Sequence, residues 1–72
     1  MTQQRKTSVI PAAPVARILT NAGAKRVSAK AARDFADLLY EKAFKIGEKA
    51  AMIAKHSGRK TIKSADIKLA AK

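Results

Sequence analysis

The sequence predicts an all-α fold in which a long central helix lies between two short helices. The stretch from Ala29 to His56 contains no proline and repeats its apolar residues at close to helical spacing. Helix-stopping glycine occurs before this stretch at Gly23 and after it at Ser57-Gly58. No segment alternates apolar and polar residues for long enough to predict a strand of more than a few residues.

Two prolines indicate where the first helix begins. Pro11 and Pro14 frame its start, since proline is tolerated in the first turn of a helix and not in later turns. The helix continues through Val15 to about Ala22, and Gly23 ends it.

The central helix is predicted to run from Ala29 to His56, with Ser28 as its N-cap. Its apolar stripe comprises Ala31, Phe35, Leu38, Leu39, Ile46, Ala50 and Ile53. A second set widens the stripe and comprises Ala36, Tyr40, Ala43, Phe44, Ala51 and Ala54. Lys42 interrupts the first set, and we expect its ammonium group to extend into solvent. A stripe this wide indicates packing against both the flanking helices and a partner chain.

The third helix is predicted from Ala65 to about Lys72, after a basic loop that contains no acidic residue. Ser64 is the expected N-cap, and Asp66 lies in the first turn, where a negative charge suits the helix dipole. Val27 and Thr61-Ile62 are predicted to form a minimal paired bridge.

The composition points to one small domain that needs a partner. The chain has 72 residues, 47% of them hydrophobic, and no cysteine, so neither disulfides nor thiolate metal sites can stabilise it. A second chain is the simplest source of the missing core. We expect residues 1–9 to form a short, basic, disordered tail and residues 10–72 to form the domain. No signal peptide or membrane-spanning run is expected.

The charge balance predicts a polyanionic partner. Sixteen Lys and Arg residues against five Asp and Glu give a formal net charge of +11. Solubility alone requires far less charge. An anionic membrane is a weaker alternative, because a membrane-surface helix usually carries bulky apolar residues on one face and this chain has no tryptophan.

Catalytic and metal-binding groups are not indicated. His56 is the only histidine, and it has no cysteine or second histidine to share a metal with. No nucleophile, base and orienting group are clustered in the sequence. We therefore expect a protein that is not an enzyme and has no cofactor.

Three motifs resemble the archaeal histone family over about residues 10–72: Ala22-Gly23-Ala24, Arg26-Val27-Ser28 and the run from His56 to Ile67. The resemblance implies a histone fold, in which two chains clasp antiparallel in a handshake dimer. The partner would be a second copy or a paralogue. Each first loop would lie beside the partner's second loop, and double-stranded DNA would follow the outside of the dimer.

The resemblance also implies site residues. The DNA-binding set would be Arg17, Lys25, Arg26, Val27, Ser28, Ala29, Arg59, Lys60, Thr61, Ile62, Lys63 and Ser64. A structural salt bridge would join Arg59 to Asp66. Further dimers would meet through Ile53, His56, Asp66 and Leu69. A small residue at position 23, here Gly23, would let neighbouring turns of a continuous DNA superhelix stack closely.

The expected function is therefore to bind duplex DNA largely without sequence specificity and to wrap it into nucleosome-like or hypernucleosome-like assemblies. The expected location is the cytoplasm, on the chromosome. Two alternatives remain: a histone-fold subunit of a heteromeric transcription factor, and a small basic RNA-binding protein.

Overall fold

The computed structural model describes residues 9–72 and contains three helices. They are α1 (Ala12–Asn21), α2 (Ala29–His56) and α3 (Ser64–Ala70). No strand or bridge residue occurs in this range, so the all-α prediction is confirmed and the predicted bridge of Val27 with Thr61-Ile62 is not found within the chain. The predicted tail lies outside the described residues, apart from Val9.

The helix boundaries follow local sequence signals closely. Pro11 is the N-cap of α1, and α2 begins and ends where the sequence predicts. Ser28 caps α2 as expected, since its Oγ accepts a hydrogen bond of 3.0 Å from the N–H of Ala31.

The predicted N-cap of α3 is wrong by one residue. Lys63, with an extended backbone (φ −109°, ψ 167°), occupies the N-cap position, and Ser64 is the first helical residue. The cap comes from the third helical residue instead, because the Asp66 carboxylate accepts a 2.8 Å hydrogen bond from the N–H of Lys63. A carboxylate at this position also favours the helix dipole, so a serine cap is not required.

The described chain divides into two compact units, one ending at Glu41 and the other covering Lys42–Lys72. Each unit buries few side chains. In the first unit the buried residues are Val15, Ala32 and Ala36, and in the second they are Ala50, Ala54, Asp66 and Ala70. Val15 is the one large hydrophobic side chain, within residues 9–72, that is less than 2% exposed.

This core is too small to give a monomer a large free energy of unfolding. Burying one methylene-sized group contributes about 0.8 kcal/mol, and five of the six hydrophobic residues buried in the described part of the chain are alanines. Larger side chains meanwhile face outward: Leu38, Met52 and Leu69 are 56%, 63% and 57% exposed. Exposed apolar area of this extent indicates a surface that another chain covers.

Candidate nucleic-acid interface

Loop 1 (residues 22–28) begins with a glycine-dependent stop at the end of α1. Gly23 has a φ of +126°, where residues with a side chain are strained. Its N–H donates to the carbonyl of Thr20 at 3.1 Å, and the N–H of Ala24 donates to the carbonyl of Leu19 at 3.0 Å. These two bonds form a Schellman motif, which satisfies the last carbonyls of α1 and turns the chain away sharply.

Loop 1 ends at Ser28, the N-cap of α2, and carries two exposed cations between Gly23 and Ser28. Lys25 and Arg26 are both exposed, and neither has an ion-pair partner in the part of the chain that the structure describes. Val27 is half-buried, whereas Ser28 and Ala29 are exposed. The start of α2 therefore presents backbone N–H groups beside two cationic side chains, an arrangement suited to binding an anion.

Loop 2 (residues 57–63) begins with the same motif as loop 1. Gly58 has a φ of +74°, within reach of the left-handed helical region. Its N–H donates to the carbonyl of Lys55 at 2.9 Å, and the N–H of Arg59 donates to the carbonyl of Ala54 at 2.9 Å. The end of α2 is thus a second Schellman motif.

Loop 2 is further held by an ion pair that crosses it. The Arg59 guanidinium donates to both carboxylate oxygens of Asp66, at 2.9 and 3.0 Å, and also to the carbonyl of Thr61 at 3.0 Å. With the N–H of Lys63, three hydrogen bonds converge on a carboxylate that belongs to a residue only 3% exposed. Bidentate contacts of this kind fix geometry as well as charge.

These contacts stabilise the charged form of both partners. Hydrogen bonding from Arg59, and then from the backbone of Lys63, lowers the pKa of Asp66 from 3.8 to about 2 against the opposing effect of burial. The hydrogen bonds that Arg59 donates to Asp66 likewise raise the pKa of Arg59. The pair therefore remains charged across the physiological range.

The remaining predicted DNA-binding residues are accessible. Lys60, Thr61, Ile62, Lys63 and Ser64 are exposed on loop 2 and the first residue of α3, and Arg17 is exposed on α1. Arg59 is the exception, since its guanidinium is engaged with Asp66 and Thr61. The structure thus places most of the predicted set on the surface and gives Arg59 a structural partner.

The comparisons with known proteins agree with this architecture. The sequence model of a family described as histone-like transcription factor (CBF/NF-Y) and archaeal histone matches residues 8–71. The chain is 48% identical to one of the subunits of archaeal histone HAN1 from Thermococcus zilligii over 63 residues, covering 88% of this chain and 94% of that protein. It is 49% identical to probable archaeal histone 3 of Methanocaldococcus jannaschii over 61 residues, covering 85% and 91%. The chain belongs to the archaeal histone family.

Membership establishes the general function. Archaeal histones are DNA-binding chromatin proteins that form histone-fold dimers and associate with the chromosome, and they are structural proteins rather than enzymes. Within residues 9–72, no three His, Cys, Asp or Glu side chains are grouped as a metal site, and no helix is long and apolar enough to span a bilayer.

The residues expected at a dimer–dimer contact are partly assembled in the structure. Ile53, His56 and Leu69 line one open groove of about 280 Å³ in the second unit. Asp66 does not line this groove. Both carboxylate oxygens of Asp66 accept hydrogen bonds from Arg59 or Lys63. A hydrogen bond from the His56 of a neighbouring dimer to Asp66 would have to use Asp66 Oδ1. This atom accepts one hydrogen bond from Arg59 and retains one acceptor position.

Two features were missed from the sequence. One is the carbonyl of Thr61 as an acceptor for Arg59, which no sequence pattern signals. The other is a larger groove in the second unit, of about 770 Å³, lined by several lysines of α2 and by the end of α3. The spacing of Lys42, Lys45 and Lys49, three or four residues apart, is a signal that could have indicated one cationic face.

Proposed function

We propose that dimers of this histone wrap duplex DNA around their outer surface, largely without sequence preference, and compact it into nucleosome-like or hypernucleosome-like assemblies on the chromosome. The observation that carries this proposal is the repeated loop design. Both loops start with a Schellman motif, end at a helix N-terminus and expose two or more cations between these points.

Handshake pairing would join loop 1 of one chain to loop 2 of the other. Each dimer would then have one cationic site at each end and a third site where the two α1 helices meet. The length of α2 suits this arrangement, since its 28 residues extend about 42 Å. Inward-facing minor grooves recur about every 10.2 bp, or roughly 35 Å, so three sites would organise roughly 30 bp.

The charge is sufficient to assist bending. About 30 bp of duplex carries about 60 negative charges, whereas two chains of formal charge +11 supply 2 × 11 = +22. Partial neutralisation on one side of the duplex lowers the free energy needed to bend it.

Individual roles follow from exposure and hydrogen bonding. Lys60 and Lys63 would contact phosphates, and Arg26 of the partner chain would reach toward the minor groove, where arginine is favoured. Arg17 would serve the central site. Arg59 would act by holding loop 2 in position through Asp66 rather than by reaching the DNA.

Salt dependence tests the phosphate mechanism. Five cations in each chain, namely Arg17, Lys25, Arg26, Lys60 and Lys63, make ten in the dimer and predict a log–log slope of about −9 for random-sequence duplex. The double variant Lys60→Gln with Lys63→Gln removes four cations per dimer, which should reduce the slope by about 3 to 4.

The matched control is Lys55→Gln with Lys68→Gln, which removes the same charge from exposed helix positions outside the loops. We expect it to leave most of the slope intact. Equal losses for the two double variants, or affinity that is insensitive to salt, would contradict loop-based phosphate binding.

Wrapping is tested separately by nuclease digestion and sizing of the protected fragments. Protection that grows in steps of about 30 bp is expected as dimers add through Ile53, His56 and Leu69. The variant His56→Ala should reduce the longer fragments while retaining the shortest. Unchanged long fragments would show that His56 is not part of the proposed contact. The same assay on a Gly23 variant would test the proposed stacking role of that position.

A second candidate function has one observation in its favour, which is that the matched family includes histone-like transcription factors. Such a subunit would read a particular sequence together with partner chains. Competition between random and selected duplexes separates the two functions, since a wrapping histone should show modest differences between them. Competition with structured RNA tests the RNA-binding alternative in the same format.

A further inference from the structure

The middle of α2 carries lysines at positions where a helical seam is usually apolar. Positions 35, 39, 42, 46, 49 and 53 are separated by alternating steps of four and three, which is the spacing of a stripe that packs against another helix. Four of them hold half-buried apolar residues, namely Phe35, Leu39, Ile46 and Ile53. The other two are Lys42 and Lys49, and both are exposed.

Lys42 occupies the midpoint of this stripe. The helix runs from Ala29 to His56, so its centre lies between Lys42 and Ala43, and the two compact units also divide there. When two identical helices cross at their centres about a two-fold axis, a central residue lies close to its own copy. A dimer of identical chains would therefore bring two Lys42 ammonium groups together.

The large groove of the second unit adds charge to this surface. Its apolar lining residues include Ile46, Met52 and Ala70. Its other lining residues are mostly cationic: Lys42, Lys45, Lys49 and Lys72, against the single acid Glu48. A groove lined by both apolar and cationic side chains matches an amphipathic helix that carries acidic residues, and it opposes a second chain of formal charge +11. The apolar lining residues also make the groove a poor match for a phosphate backbone.

We propose that the preferred dimer partner of this chain is a non-identical histone-fold chain with acidic side chains near the middle of its long helix. A polar or charged residue on an otherwise apolar seam selects among partners at the expense of self-pairing. Lys42 is the principal selecting residue, and Lys49 supports it. This inference rests on handshake pairing within the proposed function, and it does not depend on DNA wrapping.

Self-association without DNA provides the first test. Sedimentation equilibrium of the full chain should show weak dimerisation that improves as salt screens the lysines. Lys42→Met should tighten self-association about tenfold or more, the effect of removing one close like-charge pair, and should remove most of the salt dependence. The matched control Lys55→Met makes the same change on a different face of α2, 13 positions along the helix, and should leave the dimer constant unchanged.

Mixing provides the second test and remains informative if Lys42→Met is poorly soluble. The parent chain and Lys42→Glu, mixed and analysed by native mass spectrometry, should form mixed dimers well above the statistical share. A parent chain that self-associates as tightly as Lys42→Met at low salt would overturn the proposal, and so would statistical mixing.

DNA binding separates the remaining outcomes. If Lys42→Gln with Lys49→Gln weakens duplex binding as much as the loop 2 double variant, with self-association unchanged, the groove binds DNA and the partner proposal is wrong. If mixed dimers form preferentially but duplex is not protected from nuclease, the partner proposal stands and the wrapping proposal fails.

Discussion

Loops 1 and 2 begin in the same way and end differently. Each starts with a glycine of positive φ, at Gly23 or Gly58, inside a Schellman motif. Loop 1 then ends on the neutral hydroxyl of Ser28, whereas loop 2 ends on the carboxylate of Asp66, which Arg59 also contacts. The difference shows that two loops of similar design can be held by unequal contacts, because one depends on a single local hydrogen bond and the other on a charged network.

The largest expected effect comes from removing the Asp66 charge, which holds loop 2 from the first turn of α3. Asp66→Asn keeps the side-chain shape but cannot accept the bidentate contact from Arg59 with equal strength, and it leaves a cation beside a nearly buried site. We expect a fall in Tm greater than that from any other single change described below, measured by thermal unfolding. DNA affinity should fall as well if loop 2 binds phosphate as proposed, because the loop that carries Lys60 and Lys63 loses the contacts that hold it.

A matched control is available at Asp34, whose ion pair with Lys30 is on the surface. Asp34→Asn removes the same charge and should change Tm little, since exposed pairs contribute about 0–1 kcal/mol. Similar losses of Tm for the two variants would show that net charge, rather than the Arg59–Asp66 contact, determines the effect.

Acid should weaken loop 2 selectively. The native pKa of Asp66 is about 2, below its ordinary 3.8, so between these values the unfolded chain binds more protons than the native protein. The contribution of Asp66 to stability is therefore complete above about pH 3.8 and is lost as the pH falls toward 2. Denaturant unfolding at a series of pH values should show this loss in the parent chain. Asp66→Asn should lack that part of the acid sensitivity, and an identical profile for both proteins would exclude Asp66 as its source.

The neutral cap of loop 1 should have a smaller effect. Ser28→Ala removes the acceptor for the N–H of Ala31 and should destabilise the protein by about 1 kcal/mol, or about 4–8 °C in Tm. Ser28→Asp retains an acceptor and adds a charge that suits the helix dipole, so it should preserve Tm. The same substitution should weaken DNA binding, because the added carboxylate lies beside the proposed phosphate site. Loss of Tm in Ser28→Asp equal to that in Ser28→Ala would mean that the hydroxyl has a role other than capping.

The sequence predicts the helices well and the contacts that brace loop 2 poorly. Helix α2 has its predicted limits, because Ser28 and Gly58 are local signals that act within a few residues. The start of α3 is misplaced by one residue because serine at position 64 resembles a cap, while the acceptor that caps Lys63 is two residues further on. Only the family resemblance predicts the pairing of Arg59 with Asp66, since the chain between them passes through a loop, where no regular spacing indicates which side chains meet.

The candidate site was predictable in part for a similar reason. Charge clustering in loops 1 and 2 is visible along the chain, so exposed residues such as Arg26 and Lys60 could be identified directly. The lysine-lined groove depends on α3 lying near the second half of α2, and this is a tertiary feature. The spacing of Lys42, Lys45 and Lys49 indicates only the part of the groove that lies on α2, because Lys72 is 30 positions from Lys42 and no local pattern links the two.

The smallest expected effect comes from the Lys30–Asp34 pair, which is the direct comparison for the Arg59–Asp66 pair. Its N–O distance of 3.1 Å is close to the 2.9 Å of the Arg59–Asp66 pair, yet its side chains are 84% and 61% exposed. Solvent screens such a pair, and Lys30 also lies in the first turn of α2, where a positive charge opposes the helix dipole. A double-mutant cycle with Lys30→Gln and Asp34→Asn should therefore give a coupling energy of about 0.3–0.5 kcal/mol or less. Lys30→Gln alone should leave Tm unchanged or slightly raised. A coupling as large as that found for Arg59 and Asp66 would mean that distance, rather than burial and the number of hydrogen bonds, sets the strength of ion pairs in this protein.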